Sequence, residues 1–196
     1  MRRSKLGDLY AIKVPNGYKL FQRAYDIPQS GNFIRVFAGL YDSIPDNLQD
    51  IVAGPHSYII NFHSSRAYKI GLAQLCGNFP IPEEYPYPEY MFRFWRHCDS
   101  GKYHVQVLRT DLREIHKFSV SRMNELPDPF KQLTLLGEGL SPEWVLYLFD
   151  INWRPSDFSN YTPGCSEREY EAVLHPYAVI VNGYLERDKL KRTQGK

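Results

Sequence analysis

The sequence has few cysteines and no long apolar run. Its three cysteines, Cys76, Cys98 and Cys165, are odd in number and lie far apart, so they do not indicate a disulfide framework. No positively charged n-region followed by an apolar h-region precedes them, and a secretory signal is therefore not predicted. No stretch of about 18 consecutive apolar residues occurs, which argues against a membrane-spanning helix. These absences favour a protein of the reducing cytoplasm.

A large excess of charge of one sign is also missing, since the formal net charge is only +2. Residues 1–40 contain seven basic and two acidic side chains, and residues 41–99 contain four basic and seven acidic ones. This modest asymmetry is not the dense stripe of Lys and Arg that is typical of a nucleic-acid surface. Nucleic acid is therefore not the partner that the composition predicts.

The local motifs of common catalytic and metal sites are absent as well. None of the six histidines belongs to an H-E-x-x-H motif, and no C-x-x-C occurs. G-x-S-x-G, the P-loop and G-x-G-x-x-G are also missing. His63 follows an apolar run and is expected to be a hydrogen-bonded histidine of a strand rather than a base or ligand. The sequence predicts no catalytic residue, no metal and no cofactor, and we do not expect an enzyme.

Aromatic residues, in contrast, are abundant at 15% of the chain, with 15 Tyr and 11 Phe. Such residues favour half-buried pleated surfaces, which indicates a β-rich fold. Near the start, Tyr10, Ile12 and Val14 alternate as on one face of a strand. The residues Pro15-Asn16-Gly17 that follow suit a tight turn. An antiparallel hairpin is therefore predicted to open the fold.

The rest of the chain predicts further strands and a few helices. The predicted strands cover 33–41, 57–63, 68–76 and 177–181, together with a second hairpin of 90–96 and 103–109. The predicted helices cover 46–53, 141–149 and 167–174, the last ending before Pro176.

These elements predict a β-rich α+β fold. Its core is expected to be a bent antiparallel sheet or partial barrel, with two or three mostly C-terminal helices. We expect a single domain over 1–196, with a β-rich core over 5–110, a mixed α/β elaboration over 111–185 and a charged tail over 186–196.

A proline-rich stretch separates the two predicted hairpins. Four prolines occur between Pro80 and Pro88, and proline neither donates to a ladder nor favours helix at the residue before it. We expect an extended segment, either a rigid connector across the surface or a binding edge. Its tyrosines and acids have the composition that suits capture of a basic protein surface.

Two short elements of the sequence carry a resemblance: K-x-G-D-L-Y-A-I-K-V-P-N-G-Y from Lys5 to Tyr18, and G-N-F-P-I-P-E-E-Y-P-Y-P from Gly77 to Pro88. Together they resemble the immunity protein 26 family of bacterial polymorphic toxin systems. Lys13-Val14-Pro15 replaces the more usual Ile-Pro-Leu step, and the likeness covers residues 5–110. The resemblance implies a cytoplasmic protein that binds and neutralises a cognate toxin without catalysis.

Many such toxins act on nucleic acid and present basic clefts, so we expect an acidic surface on the inhibitor and a nuclease as its partner. An acidic surface speeds the encounter with a basic protein by electrostatic steering. The expected toxin-binding residues come from the most acidic part of the chain: Asp42, Asp46, Asp50, Glu83, Glu84, Tyr85, Tyr87 and Glu89.

Two alternatives remain open at the level of sequence. A strand entered by Gly-Asp and followed by a tight hairpin also begins several SH3-like barrels, so one alternative is a nucleic-acid or ribosome-associated module. The other is a hydrolase whose site is assembled from residues such as His63, Arg66 and Tyr68.

Overall fold

The computed structural model describes residues 4–28, 31–96, 103–109, 114–120, 134–135, 141–153 and 167–194. These residues form nine strands and four helices, and the predicted β-rich α+β class is confirmed. The strands are β1 (Asp8–Val14), β2 (Gly17–Ile27), β3 (Gly31–Tyr41), β4 (His56–Asn61), β5 (Ala73–Asn78), β6 (Tyr90–Arg96), β7 (Tyr103–Arg109), β8 (Glu114–Val120) and β9 (Thr134–Leu135). The helices are α1 (Leu48–Ala53), α2 (Ser64–Ile70), α3 (Pro142–Asp150) and α4 (Glu167–Gln194).

All nine strands belong to one sheet, in the order β5-β1-β2-β3-β4-β9-β6-β7-β8. Neighbouring strands are antiparallel, except that the two-residue strand β9 runs parallel to both β4 and β6. Strands β5 and β8 lie at opposite ends of this order. The described strands therefore form an open sheet rather than a closed barrel.

The predicted opening hairpin is present, and its two strands lie between β5 and β3 in the sheet. Its strands pair in register from Leu9 opposite Gln22 to Val14 opposite Gly17. Gly17 has a φ of +150°, and a Cβ there would lie 2.6 Å from the carbonyl oxygen of Tyr41 on β3. Glycine is thus required where the turn approaches the next strand. The second predicted hairpin, β6 with β7, is also confirmed.

The sheet is covered on both faces. On one face, Tyr10, Phe21 and Ile34 belong to a cluster that includes buried residues of α2, α3 and α4. On the other face, the same strands contribute Leu9, Leu20 and Phe37 to a cluster with α1, and Phe79 packs against it. Because strand side chains alternate between faces and both faces are covered, β1 and β2 bury nearly every position, and β3 buries its central residues 33–37. We call these the helical face and the α1 face.

Helix α3 begins as predicted and is tied to the opening hairpin at its end. Ser141 is its N-cap, with the side-chain oxygen accepting from the Trp144 N–H at 3.4 Å. At the other end, the Asp150 carboxylate accepts from the Asn16 backbone N–H at 2.8 Å and from the Tyr177 hydroxyl at 2.9 Å. Asp150 therefore joins the β1–β2 turn, α3 and α4.

The predicted strand over 68–76 is wrong in its first half. Residues Ser64–Ile70 form α2, which ends at Gly71 in the left-handed conformation with a φ of +82°. Strand β5 begins only at Ala73. The expectation for His63 is also wrong, because this residue is the exposed N-cap of α2 and does not lie on a strand.

The predicted end of the last helix before Pro176 and the predicted strand over 177–181 are wrong as well. Helix α4 continues through Pro176 to Gln194. Leu174, Tyr177 and Val181 are buried in the helical-face cluster at helical spacing. This packing stabilises the helix on both sides of the proline and overrides the local cost of losing one backbone hydrogen bond.

Candidate protein-binding surface

All six predicted carboxylates are exposed to solvent. They come from two segments, residues 41–55 and residues 79–89. Neither segment contains a Lys or Arg, so the acids have no basic neighbour along the chain. The exposed carboxylates of these two segments are called the acidic surface: Asp42, Asp46, Asp50, Glu83, Glu84 and Glu89.

The fold brings these two segments to the same face of the sheet, although residues 56–78 separate them along the chain. Val52 of α1 is buried in the α1-face cluster, and Ile44 and Leu48 from the first segment pack against it. Phe79, the first residue of the second segment, packs against the same cluster. The sequence predicts an acidic region, and the packing anchors both of its segments to the same face of the sheet.

Residues 79–89, which we call the proline-rich segment, run across the α1 face without regular secondary structure. At its start, the Phe79 N–H donates to the Gly7 carbonyl at 2.9 Å, and the Gln22 side-chain amide donates to the Phe79 carbonyl at 2.8 Å. In its middle, the Tyr25 hydroxyl donates to the Tyr85 carbonyl at 2.9 Å. The segment is thus extended and lies on the sheet, an arrangement that fits both expectations for it, a connector and a binding edge.

The two tyrosines of the predicted binding set have different surroundings. Tyr87 is 50% exposed, and its ring meets that of Tyr25 edge-on at 5.9 Å between centroids. Tyr85 is half-buried, with its ring 4.2 Å from the Arg35 guanidinium carbon and 4.9 Å from the His56 ring. Tyr87 is therefore available to a partner, whereas Tyr85 faces the sheet.

Beneath the proline-rich segment lies a buried arginine. Arg35 of β3 is 0% exposed. It donates from Nε to His56 Nδ1 at 3.3 Å, from Nη1 to Gln22 Oε1 at 3.0 Å and from Nη2 to the Gly54 carbonyl at 3.1 Å. We call Gln22, Arg35, His56 and Tyr85 the Arg35 cluster. It links β2, β3, β4, the end of α1 and the proline-rich segment.

Burial sets the protonation of this cluster. Removal from water, together with the positive charge of Arg35, lowers the pKa of His56 to about 4. His56 is therefore neutral at pH 7, and its Nδ1 accepts the hydrogen bond from Arg35. Burial also lowers the pKa of Arg35, but Tyr25, Tyr85 and the carboxylate of Glu84 act in the opposite direction. The guanidinium keeps its charge, since arginine does not lose its proton in proteins.

Sequence reasoning missed Gln22, Arg35 and His56. A usable signal was present in β3, where Arg35 lies between Phe33 and Phe37 on the same strand face. A cation flanked by two aromatic residues on one face indicates burial next to a polar group. The covering elements, α1 and the proline-rich segment, are not marked in the local sequence as lying over this strand.

The residues of the hydrolase alternative do not converge. His63 is exposed at the start of α2, and Arg66 pairs with Asp188 of α4 at 3.3 Å. Tyr68 packs its ring against Tyr10, 5.8 Å between centroids. Within the described ranges, no group of three His, Cys, Asp or Glu side chains could hold a metal ion.

The basic residues near the start of the chain do not form a cationic surface among the residues that the structure describes. Lys19, Arg23 and Arg35 are buried. Lys5 and Lys13 are the exposed ones in this part of the described chain. Among the helices described, none is both long and apolar enough to cross a membrane.

No family model, no curated protein and no solved structure matches this chain. The resemblance to the immunity protein 26 family therefore stays a prediction from the two sequence elements that carry it.

Proposed function

We propose that this protein is a cytoplasmic immunity protein that binds a bacterial toxin with a basic cleft, a nuclease, and neutralises it without catalysis. The observation that carries the proposal is the acidic surface. Its six exposed carboxylates come from two segments that contain no Lys or Arg, and apolar residues of both segments pack against the same face of the sheet.

Charge of this kind acts mainly on the rate of association. Complementary potentials steer two proteins together and raise the association rate by one to three orders of magnitude at low salt, roughly 10- to 1,000-fold. An inhibitor that must meet a toxin before the toxin reaches its target benefits from this rate. The acidic surface needs no catalytic group for that purpose.

The proline-rich segment suits recognition because much of its order is present before binding. Each proline fixes its own φ, which reduces the conformational entropy that binding must remove. Beside the exposed acids, Tyr87 offers an aromatic ring of the kind enriched in protein interfaces. The segment thus combines charge with a rigid apolar contact.

The two sequence elements on which the family resemblance rests lie next to each other in the fold. Leu9 on β1 pairs with Gly77 on β5, and the Phe79 N–H donates to the Gly7 carbonyl. Gly7 has a φ of +84°, and a Cβ there would lie 2.5 Å from the Phe79 carbonyl oxygen. The two elements therefore form one scaffold unit, from which the proline-rich segment departs.

Co-expression with the C-terminal domain of the protein encoded by the adjacent gene tests this proposal. We expect the two chains to purify as a complex and the growth defect caused by that domain to disappear. The double variant Glu83→Lys/Glu84→Lys is expected to lower the affinity at least about tenfold, mainly through the association rate, because it reverses charge on the acidic surface.

The matched control is Glu171→Lys/Glu186→Lys, which reverses two exposed acids of α4. This control is expected to bind like the wild type. Unchanged affinity in the Glu83/Glu84 variant would contradict the assignment of the surface. Absence of both complex and protection would contradict the immunity function itself.

A further inference from the structure

The hydrogen bonds and ring contacts of Arg35 are all with neutral groups, and the carboxylate that favours its charge is that of Glu84 in the proline-rich segment. Its hydrogen-bond acceptors are a side-chain amide, an imidazole and main-chain carbonyls, and its guanidinium lies over the rings of Phe37 and Tyr85. A buried cation is expensive to desolvate, and an apolar residue of similar volume is often the more stable choice. Global stability alone therefore does not account for an arginine at this position.

The proline-rich segment is held to the sheet by few backbone contacts of its own. Its four prolines have no N–H to donate, and a local turn uses the Tyr85 N–H, which donates to the Pro82 carbonyl at 3.0 Å. Most of its remaining described contacts come from side chains of the sheet beneath it. Among these, Gln22 fixes its start and Tyr25 its middle.

Arg35 connects these contacts. Gln22 donates to the Phe79 carbonyl and accepts from Arg35, while Arg35 and His56 together form the surface against which the Tyr85 ring packs. The same guanidinium donates to the Val52 and Gly54 carbonyls at the end of α1. The two segments of the acidic surface are thus attached to one buried charge.

We propose that Arg35, with Gln22 and His56, is a positioning residue that holds the proline-rich segment in its binding conformation. Loss of the guanidinium removes the cation–π contact with Tyr85 and leaves Gln22 and His56 without their donor. The segment then opens more often, although Glu83, Glu84 and Tyr87 keep their chemistry. The consequence for toxin affinity, and only that consequence, rests on the proposed function.

Limited proteolysis with a glutamyl endopeptidase tests the proposal without any partner. The enzyme can cleave the Glu83–Glu84 and Glu84–Tyr85 bonds when the segment leaves the sheet, and mass spectrometry assigns the cut. In Arg35→Met we expect cleavage at these two bonds to be about tenfold faster than in the wild type, because proteolysis follows the population of the open form.

The control is Lys19→Met, which removes a buried cation from the helical face of the same sheet. Lys19 donates to the Ala38 carbonyl and to Asn152, and the structure gives it no contact with the proline-rich segment. This variant is expected to cleave at these bonds at the wild-type rate. Equal acceleration in both variants would mean general destabilisation and would overturn the proposal, as would an unchanged rate in folded Arg35→Met.

If Arg35→Met does not fold, Tyr85→Leu provides the same test from the side of the segment. It removes the ring that packs on Arg35 and His56 and leaves the side chains of Gln22, Arg35 and His56 unchanged. We expect the same acceleration at Glu83–Glu84, and an unchanged rate overturns the proposal. Failure of the wild type to bind the toxin would instead contradict the proposed function and leave the proteolysis result standing.

Discussion

At the scale of single residues, buried cations are the feature that apolar periodicity could not predict. Lys19, Arg23 and Arg35 all lie on central strands that the sequence identified correctly. Each has polar partners from distant parts of the chain, such as the Ser4 carbonyl for Arg23 and the Gly54 carbonyl for Arg35. Their burial depends on which distant segments cover each face of the sheet, and the local sequence pattern does not specify those segments.

His56 gives a prediction about acid stability. Its folded-state pKa is about 4, below the ordinary value of about 6.5. Between these two pH values the unfolded chain binds a proton that the folded protein does not, so the free energy of unfolding falls as the pH drops from about 6.5 to 4. Between pH 7 and 4.5, we expect the free energy of unfolding to fall less in His56→Gln than in the wild type, by about 2 kcal/mol.

Urea unfolding of both proteins at pH 7 and pH 4.5 measures this difference. Glutamine keeps an acceptor for the Arg35 Nε–H but does not titrate. His63→Gln is the matched control, because His63 is exposed. A pH dependence in His56→Gln equal to that of the wild type would contradict the prediction.

At the scale of elements, the sequence identified strands and turns better than helix ends. Both hairpins, the first turn and the N-cap of α3 follow from residues a few positions apart. The sequence predicts strand for residues 68–70 of α2 and 177–181 of α4, because Tyr, Val and Ile favour strands when considered alone. Packing against the helical face decides these segments, and that face is assembled from distant residues.

Pro176 within α4 gives a prediction at this scale. It lies inside the helix and is exposed, so Pro176→Ala restores a backbone hydrogen bond and relieves the ring's steric conflict. We expect the free energy of unfolding to rise by about 1–3 kcal/mol in urea titrations. Pro142→Ala, at the first position of α3 where proline is favourable, is the control and should not stabilise the protein. Destabilisation by Pro176→Ala would contradict this reading of the helix.

At the scale of the whole molecule, Asp150 connects the opening hairpin, α3 and α4, which come from distant parts of the chain. Its carboxylate accepts from both the backbone N–H and the side-chain amide of Asn16, and from the Tyr177 hydroxyl. Asp150 is buried, and its carboxylate is the acceptor that these three donors share. The opening hairpin, α3 and α4 should therefore unfold together.

Asp150→Ala tests this connection. It leaves the buried Tyr177 hydroxyl without its acceptor and removes two hydrogen bonds from the exposed Asn16, and we expect a loss of about 2 kcal/mol in the free energy of unfolding. In the wild type, far-UV circular dichroism and tryptophan fluorescence should give one coincident transition. Asp50→Ala, an exposed acid of α1, is the control and should change stability by less than about 0.5 kcal/mol. Separate transitions for the two signals in the wild type would contradict the connection, as would a loss in Asp150→Ala no larger than that in the control.

The sequence by itself determined the β-rich class, both hairpins, the start of α3 and the acidic character of residues 41–99, because each depends on neighbours a few positions apart. The tertiary structure decided which face of each strand is covered, where α2 forms, how far α4 extends and how Arg35 is buried. It also placed residues 41–55 and 79–89 on one face. Burial and packing act between residues far apart in the chain, so no local pattern could specify the acidic surface as one surface.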